Sequence, residues 1–324
     1  MQTPAGYSIS PEGQFLPEDW WAIIFNPSFP FRYLHTITGA FLTTAMIVGA
    51  VGAFHLLRNR TNERARIMFS MAMWMAAAVA PAQALFGDMQ GLWAVKLQPQ
   101  KVAAMEGHWE TQRGAPLILF GMPDMAREET RLQIAIPRLG SLILTHDWDG
   151  EVRGLKDFPV DQRPTNVPLV FWSFRIMIGM GVLMIALGAT SLLLRWRGAL
   201  YRRDWFLRWA IAMGPSGLIA VTFGWITTEA ERQPYTVYGL MRTADSVSPI
   251  AAPAVAASLA AFIVVYFVVF GAGLWYLLKL FGHPPEVHES GPPRSEPTRT
   301  AGITPGLAMD PERRRDARPQ PAAE

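Results

Sequence analysis

The chain has 324 residues, half of them hydrophobic and 17% charged, with a formal net charge of +3 and no cysteine. The absence of cysteine excludes disulfides, thiolate-held iron–sulfur clusters, cysteine–zinc sites and covalently attached c-type haem. The positive charge sits on arginines in short loops and the tail, a distribution that suits membrane topology and not a nucleic-acid surface.

Residues 1–32 form a polar, turn-rich leading segment with Glu12, Glu18 and Asp19 and no Lys or Arg before Arg32. It lacks a basic n-region followed by a short apolar core, so it does not read as a signal peptide. Trp20, Trp21, Phe29 and Phe31 read as an aromatic belt entering the membrane. Residues 33–89 then hold two apolar spans, Tyr33–Leu57 and Arg66–Met89. A long connection, residues 90–167, precedes three more spans in residues 168–281: Pro168–Leu194, Trp205–Thr228 and Ile250–Phe281. Roughly 24 residues of helix reach about 36 Å, enough to cross with some tilt. The expected fold class is an all-α integral membrane protein of about five transmembrane helices, with a structured outer loop between the second and third. That loop is too long for a plain turn. It carries Trp93, Trp109 and Trp148, helix-like stretches at Lys101–Glu110 and Met125–Ala135, and a turn at Asp149-Gly150, which suggests a small lid. Residues 282–324, rich in proline and charge, read as a disordered tail.

Orientation follows from the arginines. The first connection (Arg58, Arg60, Arg64, Arg66), the third (Arg195, Arg197, Arg202, Arg203) and the tail (Lys279, Arg294, Arg299, Arg313–Arg315) are all basic. The positive-inside rule places these three in the cytoplasm, and the N-terminus, the long connection and the loop Glu229–Pro249 outside. A chain starting outside without a signal would have to export an acidic leading segment. The simpler expectation is that further membrane helices precede it.

Several polar residues in this frame carry chemistry. His35, near the outer end of the first span, is an interfacial histidine bonded to backbone or a haem ligand. His55, at the other end beside Arg58, reads as structural. Met177 belongs to a stripe with Met180 and Met184 at helical spacing, which is how a packed face looks. Spacing does not choose among the three, although topology puts Met177 roughly 14 Å deep, in the same membrane half as His35. Arg175 is a cation four residues inside an apolar run, which costs roughly 2.5–3.5 kcal/mol on insertion scales. It either reaches for the interface or neutralises an anion such as a haem propionate. Glu229, where the fourth span ends, is a solvated helix-end carboxylate or a buried ligand or proton-relay group. Lys101 and Glu106 either flank a small ligand or belong to a solvated amphipathic turn. There is no Walker motif, no dinucleotide fingerprint and no His-rich metal spacing.

Six stretches in order, MQTPAGY, FNPSFPFRYLH, QPQKVAAMEGHWET, FWSFRIMIG, TTEAERQPY and YGLMRTADSVSP, make nearly all of Met1 to Phe281 resemble subunit I of cytochrome bd-type quinol oxidases. The likeness is strongest to the cyanide-insensitive branch with a short quinol loop. By that resemblance His35 and Met177 correspond to the axial ligands of the low-spin haem b, and Arg175 to the arginine beside it. Lys101 and Glu106 fall at quinol-loop positions implicated in quinol oxidation. Glu229 matches the glutamate associated with the high-spin haem b, and Arg232, Gln233 and Pro234 match a GRQPW motif. Two departures stand out: Glu231 replaces the glycine of that motif and Tyr235 its tryptophan, and the four preceding helices that supply the haem d histidine and acidic proton-pathway residues have no counterpart here. The resemblance implies an N-terminally truncated subunit I in the bacterial cytoplasmic membrane, with subunit II as partner, ubiquinol or menaquinol as substrate and oxygen as electron acceptor. The alternative expectation is a non-catalytic remnant, or a half-subunit needing a separately encoded N-terminal piece.

Overall fold

The computed structural model describes residues 2–285; the expected tail lies almost wholly outside the described residues. The helices in chain order are α1 (Trp20–Ile24), α2 (Phe29–Arg58), α3 (Glu63–Leu97), α4 (Pro99–Glu106), α5 (Leu139–Thr145), α6 (Val167–Trp196), α7 (Asp204–Ala212), α8 (Ser216–Arg232) and α9 (Ala252–Phe281). The strands are β1 (Tyr7–Ile9), β2 (Phe15–Pro17), β3 (Gln112–Arg113), β4 (Leu117–Asp124), β5 (Glu129–Ile136), β6 (Glu151–Val152), β7 (Tyr235–Val237) and β8 (Met241–Arg242). They form four separate antiparallel pairs, β1–β2, β3–β6, β4–β5 and β7–β8. Among the described residues, five segments are long and apolar enough to cross a membrane: α2, α3, α6, α7 with α8, and α9. The chain is a helical membrane protein.

α2, α3, α6 and α8 pack in a closed ring, each against the next, so that α2 faces α6 across it and α3 faces α8. Small residues let the backbones approach. A Cβ at Gly188 of α6 would meet Ala77 Cα of α3 at 2.8 Å, and one at Gly217 of α8 would meet Thr43 Cα of α2 at 2.4 Å. Without a hydrophobic drive between helices in lipid, such close contact is what holds them together. The apolar core (Met46, Leu56, Phe69, Met73, Leu187, Phe206, Leu207) fills the end of the bundle away from α4.

The fourth span departs from a single helix. It breaks at Met213-Gly214-Pro215, because Pro215 has no N–H to donate to the preceding turn. α3 runs to Leu97, eight residues beyond the expected exit, and ends where Pro99 starts α4. α4 stops at Gly107, whose φ of +72° a side chain would strain, and where a Cβ would also press on Phe171 at 3.0 Å. The stretch Met125–Ala135 is turn and strand instead of helix. Asp124 accepts hydrogen bonds from the backbone N–H of Ala126 (2.9 Å) and Arg127 (3.1 Å), a side-chain turn that competes with helix formation, and β5 follows, paired to β4. His55 is buried and its Nε2 lies 2.9 Å from the Phe281 carbonyl of α9, a structural role as expected.

Candidate functional site

His35 lies six residues into α2 and Met177 ten residues into α6, so both sit within about 15 Å of the bundle end that carries α4. The His35 ring rests against α3. Gln83 Nε2 is 3.0 Å from the His35 carbonyl and 3.3 Å from Nδ1, while Thr38 donates its hydroxyl to Gln83 Oε1. Nε2 of His35 takes no hydrogen bond among the described residues. A Cβ at Gly87 would meet the ring at 3.2 Å, and one at Gly224 of α8 would meet Met177 Sδ at 2.8 Å. Each candidate ligand thus leans on a glycine of a neighbouring helix. The methionine stripe also divides: Met184 is buried in the apolar core, Met180 packs on its edge, and Met177 belongs to neither group. An imidazole with a free nitrogen and a thioether, offered from opposite helices of the ring, is a donor set that fits a six-coordinate haem.

The second cluster forms where α4 meets the leading segment and α8. Lys101 is 1% exposed. Its ammonium donates to Gln2 Oε1 and lies 4.8 Å from the centre of the Tyr238 ring. Gln2 in turn donates to the Thr228 carbonyl (3.1 Å) and accepts from Gln98 Nε2 at its own carbonyl, while Gln100 donates to the Tyr238 hydroxyl. Burial pulls the Lys101 ammonium down to about 8 from 10.5. Glu231 is the strongest opposing charge, Arg32 and Arg232 push the same way as burial, and Glu229 opposes them. An open cleft of about 380 Å³ lies alongside, lined by Gln2, Pro4, Tyr7, Leu97, Gln98 and Tyr238 among others.

Glu106 looks the other way. Its Oε2 accepts from Arg175 Nη2 at 2.6 Å, with the two side chains 7% and 9% exposed. Arg175 Nε donates to the Ile118 carbonyl (2.6 Å), and the guanidinium carbon lies 4.7 Å from the Phe171 ring centre. The anion beside Arg175 is therefore Glu106. Nη1 of Arg175 makes no hydrogen bond among the described residues and stays available to a second anion. Burial also holds the neighbouring His108 imidazole below its usual value, Glu106 opposing and Arg175 reinforcing the effect.

Of the residues singled out from sequence, Glu106 and Arg175 come together, as do Glu229 and Arg232, which pair one turn apart on α8. Lys101 and Glu106 engage different partners: α4 turns Lys101 toward Gln2 and α8, and Glu106 toward Arg175 of α6. Gln2, Gln98, His108, Glu231 and Tyr238 were not expected in the site. All five lie inside the matched sequence stretches, but only the packing shows that Glu231 is buried, at 7% exposure.

A family model described as cytochrome bd terminal oxidase subunit I matches residues 1–285. The chain is 35% identical over 287 residues to a Bacillus subtilis (strain 168) protein named cytochrome bd ubiquinol oxidase subunit 1, covering 86% of this chain and 61% of that one. It is 33% identical over 288 residues to a second protein of that strain, named putative cytochrome bd menaquinol oxidase subunit I, covering 86% and 63% respectively. Among solved structures, the bd oxidase from Geobacillus thermodenitrificans superposes with a TM-score of 0.78 at 30% identity, over 88% of this chain and 65% of that one. The chain thus spans somewhat under two thirds of the length of these relatives. It belongs to the cytochrome bd terminal oxidase subunit I family.

Proposed function

We propose that the chain is the quinol-oxidising, low-spin-haem-binding part of a quinol:oxygen oxidoreductase of aerobic respiration in the bacterial cytoplasmic membrane. The observation that carries the reading is the Glu106–Arg175 pair. It links α4, with its buried polar groups, to α6 two residues from Met177, so a proton acceptor would be tied to the helix that offers a haem ligand. Oxidising a quinol releases both protons and electrons, which need separate acceptors.

In this reading the Glu106 carboxylate accepts the proton of a quinol hydroxyl, and Arg175 keeps that carboxylate oriented. Lys101, fixed by Gln2, orients the headgroup and stabilises negative charge developing on its oxygen. His35 and Met177 would hold the haem b, which would supply a one-electron acceptor whose potential a thioether raises. Arg175 Nη1 is placed to neutralise a propionate, and Glu229, with Arg232 beside it, to serve the high-spin haem b. The Arg-rich loops favour an orientation with the leading segment and the 90–167 connection outside the cell and the C-terminus inside. Subunit II, ubiquinol or menaquinol, oxygen and a haem d site complete the proposed complex.

Reduced-minus-oxidised spectra of membranes carrying wild type, His35→Ala and Met177→Ala test this reading. Each substitution is expected to abolish the low-spin haem b signal, and an unchanged signal rejects the ligand assignment.

A further inference from the structure

At the bundle end opposite Lys101, the α2–α3 turn and the α6–α7 turn enclose a cleft of about 450 Å³ lined by Arg60, Arg66, Gly198, Tyr201 and Arg202. Three guanidinium groups share it, and they are not equivalent. Arg60 is spent on protein: it donates to the Tyr201 carbonyl (2.5 Å) and is neutralised by Asp204. Arg66 is fixed at one end only. Its Nε donates to the Arg60 carbonyl (2.8 Å) and its guanidinium carbon lies 5.4 Å from the Tyr201 ring centre, so both terminal nitrogens remain open. The Arg202 side chain makes no hydrogen bond or ion pair among the described residues. Two uncompensated positive charges therefore border one cleft, one of them held in place by the fold. No acidic side chain lines the cleft.

The depth of the cleft is set by its neighbours. Trp196, 83% exposed, and Trp205, 54% exposed, flank it in sequence at the ends of α6 and α7. Exposed tryptophans at helix ends mark the headgroup level of a bilayer. A planar guanidinium fork at that level matches phosphate oxygens in pairs, and basic pockets between membrane helices are where anionic lipid headgroups lodge.

We propose that this cleft is a binding site for a phosphoryl anion, with Arg66 and Arg202 as its two charged contacts and Tyr201 as its floor. An anionic phospholipid is the source nearest to hand in the membrane, and free phosphate is the other. The site is independent of quinol chemistry and does not rest on the haem assignment.

The test uses the purified oxidase complex stripped of loosely bound lipid, with the wild-type chain, Arg202→Gln, and the double variant Arg66→Gln/Arg202→Gln. Thermal midpoints are followed on adding phosphatidylglycerol, phosphatidylcholine or inorganic phosphate. Wild type is expected to be stabilised by phosphatidylglycerol and not by phosphatidylcholine, with an apparent affinity roughly tenfold weaker in the double variant, as loss of charge-assisted hydrogen bonds predicts. Equal protection by inorganic phosphate, again lost in the variants, supports the site with free phosphate as the ligand. Equal protection by phosphatidylcholine, no protection by any of the three, or undiminished protection in the double variant overturns the proposal. Arg202→Gln removes no hydrogen bond within the protein, so it separates loss of binding from loss of fold.

Discussion

The two ends of the helix bundle handle charge in opposite ways. At the α4 end, Lys101, Glu106, His108 and Glu231 are all buried, and Arg175 nearly so. At the other end Arg60 and Arg66 stay at the rim, pinned by backbone carbonyls and the Tyr201 ring beside a core of Leu, Phe and Met. Burying an ion costs several kcal/mol even after relaxation, and its partner repays this only with good geometry. The rim pair Arg60–Asp204 avoids most of that cost. Buried ion pairing concentrated at the α4 end fits the chemistry proposed there better than a stabilising role.

The sharpest way to break this contrast is at the buried pair. Glu106→Gln keeps the shape and removes the proton acceptor, so quinol oxidation should fall about 10²–10⁴-fold in kcat with the low-spin haem spectrum unchanged. Stopped-flow turnover with a quinol analogue, read beside the spectrum, checks it; a fall below threefold would remove Glu106 from the chemistry. Arg175→Ala leaves a buried carboxylate unpaired and should cost about 3–5 kcal/mol of stability. The same operation at the rim, Asp204→Asn against Arg60, should cost at most about 1 kcal/mol, because both partners are partly or largely exposed. Melting curves of the two variants place the two ends on one scale, and equal losses would erase the distinction drawn above.

Lys101 gives the contrast a pH signature. Its ammonium is held near 8 in the folded protein, against 10.5 for a free lysine. If the charged form orients quinol, activity falls as pH rises through about 8. Stability moves the opposite way: between about 8 and 10.5 the unfolded chain binds more protons at this group, so burying it becomes less costly as pH rises. Lys101→Arg should remove the alkaline limb from the activity profile, and persistence of that limb at the same pH would assign it to another group. The smallest expected effect is at Gln2. Gln2→Ala frees Lys101 from its amide partner and should raise KM for quinol several-fold with little change in kcat, in keeping with roughly 1 kcal/mol per lost hydrogen bond.

Much of this was legible in the sequence, for physical reasons that differ by element. The five spans were visible because a bilayer demands long apolar runs, and their residues carry them regardless of packing. The break at Pro215 was hidden for the same reason: a proline and a glycine leave an apolar run still apolar. The β4–β5 pair was misread as partly helical because Met125, Ala126 and Arg127 favour helix, while the Asp124 side chain turns the backbone before that preference can act. At the site, the resemblance singles out His35 and Met177 as expected ligands where spacing leaves Met177, Met180 and Met184 open, and the partner of Arg175 is named by neither. Glu106 is 69 residues away, and no local periodicity connects them. Glu231 stood out as an unusual letter in a motif, yet only packing shows that its carboxylate is buried and faces Lys101.

The hydrogen bond from Gln2 to Thr228 joins residues 226 positions apart. Loop-closure entropy grows with the logarithm of the intervening chain, and such a contact is rewarded only after the segments between have found their places. Gln2 can therefore bridge Lys101 and Thr228 only where α4 and α8 already lie side by side.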